Sequence, residues 1–461
     1  MRFLVAFTLA VLLHSCGHQS IPQRGTLGSD HPNLPATEEA PIERAKTGND
    51  PSTIVMDLAN VLAMSGASPT DVLRARERYQ EVLAREDRAR SQFLPDIIAG
   101  VGFAHHVGQI QATEGPFLDV TRQVTAAQIR AQISLPLANL IYDGDIARTQ
   151  RQAAEAAVDA SILDSMLRGA MLYFDLLVSH EDARIARGAW INSQQILEIY
   201  QVRMRSGNGI QVDVDRALAK SSQNEAMHAI SESQIQRVTA ELVRHLRLRP
   251  GTQIVPSSDR IALLNADDLP GIADAMQLAL HNNPRIRALL QMTEASDHER
   301  AKQANAHLLP KIHISAGLSE LGENPSRFGG STDFQALLGW EFKGLGMGTV
   351  ADIKIAESKA RQVHLDLADE RERVAAHLTG TLGMVASLQV ALRAADQAVF
   401  ASGATLSVVN KRLEHGNADS LDALIAEEAL VAAQQTRLRT VTQINKSILQ
   451  VKHLLGESPV P

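Results

Sequence analysis

The chain has 461 residues, 44% of them hydrophobic, so it can bury a large core and is not generally disordered. A formal net charge of −7 excludes a nucleic-acid backbone as the main partner, because phosphate binding needs a basic surface. The single cysteine excludes an internal disulfide and any multi-cysteine metal site, and aromatics at 3% are sparse for a compact enzyme.

In chain order, Arg2 opens a minimal positive segment, and residues 3–13 are apolar. That stretch is too short to span a bilayer and has the size of a signal-peptide core. Leu13-His14-Ser15-Cys16 follows, and a Leu three residues before a Cys with a small residue between resembles a bacterial lipobox. His14 departs from that pattern. The alternative is an ordinary signal peptide with an incidental cysteine. On the lipoprotein reading residues 1–15 are removed, Cys16 carries the lipid, and Gly17 in place of an Asp points to the outer membrane. Residues 18–52 are rich in Pro, Gly, Ser and Thr, which reads as a flexible tether. We set the anchor and tether at residues 16–65.

Proline is missing from residues 137–249 and again from 326–458, which permits long helices. Leu163, Leu167, Ala170, Phe174 and Leu177 step by four and three, as do Val441, Ile444, Ile448, Val451 and Leu455. These are narrow helical seams. A helix over about 145–205 would be ~90 Å long at 1.5 Å per residue. Two breaks interrupt the long stretches: Gly207-Asn208-Gly209, and Gly416-Asn417. Gly and Asn tolerate left-handed backbone, so each predicts a helix-turn-helix tip.

Four runs have period two instead. They start at Ile97, Ile129, Ile312 and Phe334, the last running through Trp340 and Phe342. Each predicts a strand of about nine residues with one apolar and one polar or small face, the length of a tilted membrane strand. Half of the sixteen aromatic residues lie in or beside these runs, as suits anchoring at a bilayer interface. Two soluble hairpins packed on helices would give the same alternation.

The order helix, hairpin, long helix, tip, returning helix occurs twice. Gly207-Asn208, Asp213 and Ala217 recur as Gly416-Asn417, Asp422 and Ala426 at the same spacing. The repeats are expected at 66–249 and 271–456, joined by 250–270 and followed by a tail at 457–461.

The sequence resembles the outer-membrane efflux proteins of the TolC family over its mature length. The residues that carry the likeness are Asn283-Pro284-Arg285-Ile286 leading to Leu309-Pro310, Ser134-Leu135-Pro136-Leu137 with Asp143-Gly144, and the two Gly-Asn tips. Trp340-Glu341-Phe342 departs from the usual Leu-Pro-Leu-like strand end. The resemblance implies an α+β membrane protein. Three chains, four strands each, would close a trimeric twelve-stranded β-barrel continued by a long α-helical periplasmic barrel. It implies an outer-membrane conduit without cofactors, serving a tripartite efflux or type I secretion system. The tips at Gly207, Asn208, Gly209, Gly416 and Asn417 would dock a periplasmic adaptor joined to an inner-membrane pump. The aperture would be lined by Asp213, Asp215, Asp419 and Asp422. Asp422 matches the first residue of the family's acidic pore pair, and Ile425 stands in the second position. Each of these carboxylates could equally serve as a helix cap or dipole partner.

No metal, nucleophile or nucleotide motif points to an enzyme. Gly344, Gly346 and Gly348 read as a chain reversal rather than a dinucleotide loop. His105-His106 reads as a surface-loop pair, not a metal site. Two other function classes remain: a periplasmic adaptor lipoprotein, which lacks a counterpart here to the short Gly-rich strands of such proteins, and an envelope-spanning coiled coil, which leaves the four alternating runs unexplained.

Overall fold

A computed structural model describes residues 53–111, 115–258, 261–322, 329–415 and 420–459. Cys16 and the tether up to residue 52 lie outside these, as do Gly416, Asn417 and Asp419.

Two short helices begin the first repeat: α1 (Leu58–Ala67) and α2 (Thr70–Ser91). A hairpin of β2 (Asp96–Gln111) and β3 (Phe117–Pro136) follows, then α3 (Leu137–Arg205) and the returning α4 (Gln211–Leu246). The second repeat copies this order with α5 (Ile272–Asn282), α6 (Pro284–Asn305), β5 (Lys311–Gly322), β6 (Gly329–Gly339), α7 (Met347–Glu414) and α8 (Ser420–Leu454). Lengths match closely: α2 and α6 have 22 residues each, α3 and α7 have 69 and 68, α4 and α8 have 36 and 35.

Outside the repeats, β1 (Thr53–Met56) pairs in parallel with β4 (Gln253–Pro256). This corrects the tether boundary. Residues 53–65 are built into the protein, because Met56, Val61 and Leu62 are apolar and close the core formed with Leu176, Leu242, Leu246 and Ile254. Asp57 starts α1 by accepting from Asn60 N at 2.7 Å. The first repeat therefore begins at α1, matching α5 of the second.

The four long strands form one antiparallel sheet in the order β2-β3-β5-β6. Register separates two faces. One row reads Ile97, Ala131, Ala316, Phe334, and the next Ala99, Ile129, Leu318, Thr332. The opposite face reads Asp96, Gln132, Ser315, Gln335, then Gly100, Gln128, Ser319, Ser331. Among the described residues nothing covers the apolar face: Val101 is 82% exposed and Phe334 74%. Among the described residues β2 and β6 each leave one edge unpaired.

Several expectations shift by a few residues. The strands are longer than nine residues, at 16, 20, 12 and 11. β6 ends at Gly339, so Trp340-Glu341-Phe342 lies outside it. Trp340 Nε1 donates to the Leu308 carbonyl, and Glu341 pairs with Lys311, which folds the segment beside the start of β5. The first long helix starts at Leu137, directly after Pro136, rather than near 145. Pro136 lacks an N–H and has φ −66°, so it is suited to the turn from strand into helix. His105 and His106 sit within β2, opposite Gln123 and Arg122 on the two faces, not in a loop.

Gly344 and Gly346 have φ +55° and +92°, and Leu345 between them has +57°. This left-handed turn is the expected chain reversal, leading straight into α7. The helices are held by separate apolar clusters along their length rather than one central core. The seam from Val441 through Leu455 is fully buried, whereas in the first seam Ala170, Phe174 and Leu177 are buried and Leu163 and Leu167 half-buried.

Candidate functional site

The two helix tips come together at one end of the helical region. α3 closes with Ser206 N donating to the Val202 carbonyl at 3.0 Å and Asn208 N to the Arg203 carbonyl at 2.9 Å. Gly207, at φ +76°, makes that turn possible. Gly209 is needed for a different reason: a Cβ there would meet Met204 N at 2.8 Å. α4 then starts at Gln211. α7 ends at Glu414, with His415 bonded to the Lys411 carbonyl, and α8 starts at Ser420.

Below the turns a small apolar cluster joins both repeats. It contains Ile196, Tyr200, Ala217, Leu413 and Ala423. Arg203 crosses from α3 to donate to the Leu413 carbonyl, and its guanidinium stands 5.4 Å from the centre of the Tyr200 ring.

Asp213 and Asp422 occupy the first turns of α4 and α8, where the N-terminal dipole favours a carboxylate. Asp422 is exposed. Asp213 is half-buried and lies 3.9 Å from Arg216. Asp215 is exposed and accepts from Gln211 Nε2 at 2.8 Å. Three of the four aspartates are thus found at the tip, and the fourth, Asp419, is outside the described residues. Arg216 stands three residues after Asp213, at the place held by Ile425 after Asp422. The first repeat therefore offers a partly neutralised carboxylate, and the second an exposed one without a cation beside it among the described residues, one turn before an apolar side chain.

A polar cluster about two to four turns above the tip is not apparent from the sequence. Glu427 of α8 is 2% exposed. Its Oε1 accepts from Asn224 Nδ2 of α4 at 3.3 Å, and the same amide donates to the Ala189 carbonyl of α3 at 3.2 Å. Burial pushes the Glu427 carboxyl up to about 7, against which Asn192 of α3 and Lys220 of α4 pull it down. Lys220 lies 3.6 Å from Glu428, and Trp190 stacks on His228 at 5.6 Å nearby in sequence on the same two helices. The available signal was that Glu427 is four residues after Ala423, on the seam that faces the first repeat. Among the described residues no group of three His, Cys, Asp or Glu is placed to hold a metal ion.

Residues 275–457 match the family model of outer membrane efflux proteins. The pyoverdine export outer membrane protein OpmQ of Pseudomonas putida is 23% identical over 478 residues, covering 99% of this chain and 97% of that protein. The solved outer-membrane channel OprN superposes with a TM-score of 0.77 at 18% identity, over 90% of this chain and 92% of that one. The CmeC outer membrane channel of Campylobacter jejuni gives 0.76 at 13% identity, over 87% and 85%. These structural likenesses establish the fold.

Proposed function

We propose that this chain, which belongs to the outer membrane efflux protein family, is the outer-membrane channel of a tripartite efflux or type I secretion system. The observation that carries this reading is the sheet. Its four strands have one apolar and one polar face, and its two edges are unpaired. In lipid an unpaired edge leaves backbone groups unsatisfied, so a sheet of this kind must close.

Closure by a ring of copies, β2 of one against β6 of the next, puts the apolar rows toward lipid and the polar rows toward a lumen. Three chains give a twelve-stranded barrel. The outer helix supports the same arrangement. α7 exposes Val390, Phe400 and Val408 within its apolar stretch, and Phe400 is 81% exposed in one chain. By length and composition this helix could cross a membrane. A neighbouring copy is the better cover, because the helix is continuous with charged turns and pairs with α8 along its length. The helical hairpins then extend the conduit into the periplasm. Gly207, Asn208, Gly209, Gly416 and Asn417 form its adaptor-docking end, and the adaptor links it to an inner-membrane pump. Cys16, once acylated, adds a lipid anchor to a barrel that already holds the membrane.

The test is outer-membrane fractionation followed by mass measurement in detergent, with and without heating. Expected are heat-modifiable trimers in the outer membrane, and ion-conducting units in planar bilayers. A monodisperse monomer with full β content would defeat the reading. Mass spectrometry of the mature N-terminus decides the anchor separately: residues ahead of Cys16, or an unmodified thiol, would remove it.

A further inference from the structure

We propose that Glu427, with Asn192 and Asn224, is a proton-operated latch that holds the α8 end of the second repeat against the α3–α4 hairpin of the first. The inference deepens the conduit reading for its consequence, the width of the tip, but the latch itself is a property of three helices.

The geometry is that of a half-satisfied network. Glu427 Oε2 and Asn192 Nδ2 are both buried and adjacent, yet make no hydrogen bond of ordinary geometry. The bond from Asn224 to Oε1 is long at 3.3 Å, and that amide is shared with the Ala189 carbonyl. A buried carboxylate here lacks the donors it needs. A protonated carboxyl does not, since its O–H can itself donate to an amide or main-chain oxygen. Protonation therefore favours the closed junction, and loss of the proton favours separation of α8 from the hairpin and entry of water.

The charges around it are few. α4 contributes Lys220, which is 3.6 Å from Glu428, and His228, which is stacked on Trp190. On α3 the charged residues flanking Asn192, Arg187 and Glu198, are exposed. On α7, Lys411 and Arg412 of the last turn are exposed too. Among the described residues Lys220 is the cation acting on the carboxyl, and its effect is smaller than that of burial. A carboxyl raised to about 7 changes state in the range where ordinary exposed aspartates stay ionised.

The direction follows from linkage. The folded state binds the proton more tightly than the unfolded state, so the junction is fully stabilised below the usual Glu range. That advantage is lost as pH rises through about 7.

The experiment is hydrogen–deuterium exchange on the full-length protein in detergent, following peptides from residues 420–430 between pH 5.5 and 8.5 and correcting for intrinsic rates. Protection should fall about tenfold across neutral pH in the wild type. Glu427→Gln should stay protected throughout, and Asn192→Leu should move the step to higher pH. His228→Gln should retain the step. A wild-type α8 with no step, or a step that persists in Glu427→Gln, overturns the latch. If Glu427→Gln does not fold, the direction of the Asn192→Leu shift decides. In planar bilayers the same step should appear as conductance rising with pH. Protein that shows the exchange step but never conducts would defeat the conduit reading and leave the latch standing.

Discussion

Arg203, in the last turn of α3, donates its guanidinium to the main-chain carbonyl of Leu413 in the last turn of α7. The two residues are 210 positions apart and belong to different repeats. The carbonyls of a last helical turn have no partner within their own helix, so a cation there satisfies a group and complements the dipole at once. It is the polar contact that ties one tip to the other above the apolar cluster of Ile196, Tyr200 and Ala423.

Arg203→Ala should therefore loosen the closed tip. A charged hydrogen bond contributes about 2 kcal/mol, equivalent to ~30-fold in the closed–open equilibrium. Single-channel recordings should show longer open times, and Arg203→Lys should restore part of the closure. Identical gating in wild type and Arg203→Ala would mean that the apolar cluster alone closes the tip.

The aspartates at the tip should differ from each other. Asp422 is exposed with an apolar Ile425 one turn on, while Asp213 has Arg216 at 3.9 Å. A free carboxylate ring attracts cations, and a paired one does so weakly. In a salt gradient the pore should be cation-selective. Asp422→Ala should move the reversal potential toward zero, and Asp213→Ala should move it less. No movement in either variant would make both residues plain dipole partners and put the selectivity elsewhere.

The repeat order, the four strands and the tip at Gly207 were legible because each rests on a local rule. Residues such as Ile97 and Phe334 alternate with period two, the seams at Leu163 and Val441 step by three and four, and Gly207 permits a left-handed turn. What stayed hidden needs the second repeat in place. Arg203 ends a helix in an ordinary way until Leu413 arrives beside it, and Glu427 is one of two adjacent glutamates until α3 and α4 bury it and leave Glu428 outside. Residues 53–65 read as tether in the sequence because a four-residue strand and a ten-residue helix show little periodicity. Their order comes from a strand partner 200 residues away in the sequence.

The docking of α1 on α3 depends on a close approach at Gly169. A Cβ there would lie 2.0 Å from Ser65 Oγ and 2.9 Å from Ser65 Cβ, while Ser165 Oγ donates to the Ser65 carbonyl at 2.7 Å. The helix α1 cannot move away without losing that bond and the burial of Leu62. Gly169→Ala should cost about 1–3 kcal/mol by overpacking, despite the higher helix propensity of Ala. Gly188→Ala, on the same helix with open space at its Cβ, should instead stabilise by up to ~1 kcal/mol. Thermal unfolding of the two variants side by side checks both signs. Equal shifts would show that α1 adjusts freely.

Asp164 of α3 lies between Arg285 of α6 and His453 of α8, so it joins both repeats well away from the tips. Burial alone would raise its carboxyl, but the hydrogen bonds from His453, at 2.8 Å, and from Arg285 outweigh it and hold the group below the usual carboxylate range. The folded state thus binds this proton less tightly than the unfolded state. The contribution is present at neutral pH and above, and is lost as pH falls below about 4 and through the depressed folded value. Because the side chain is about one-third exposed, solvent screening limits it to about 1 kcal/mol. Asp164→Asn should lower the unfolding temperature at pH 7 and by a smaller amount at pH 3, because the advantage of the wild-type carboxylate fades as pH falls toward its depressed folded value. The pH dependence of the difference between the two proteins is the measurement. A constant difference at both pH values would assign the loss to altered shape at this junction and not to the charge on Asp164.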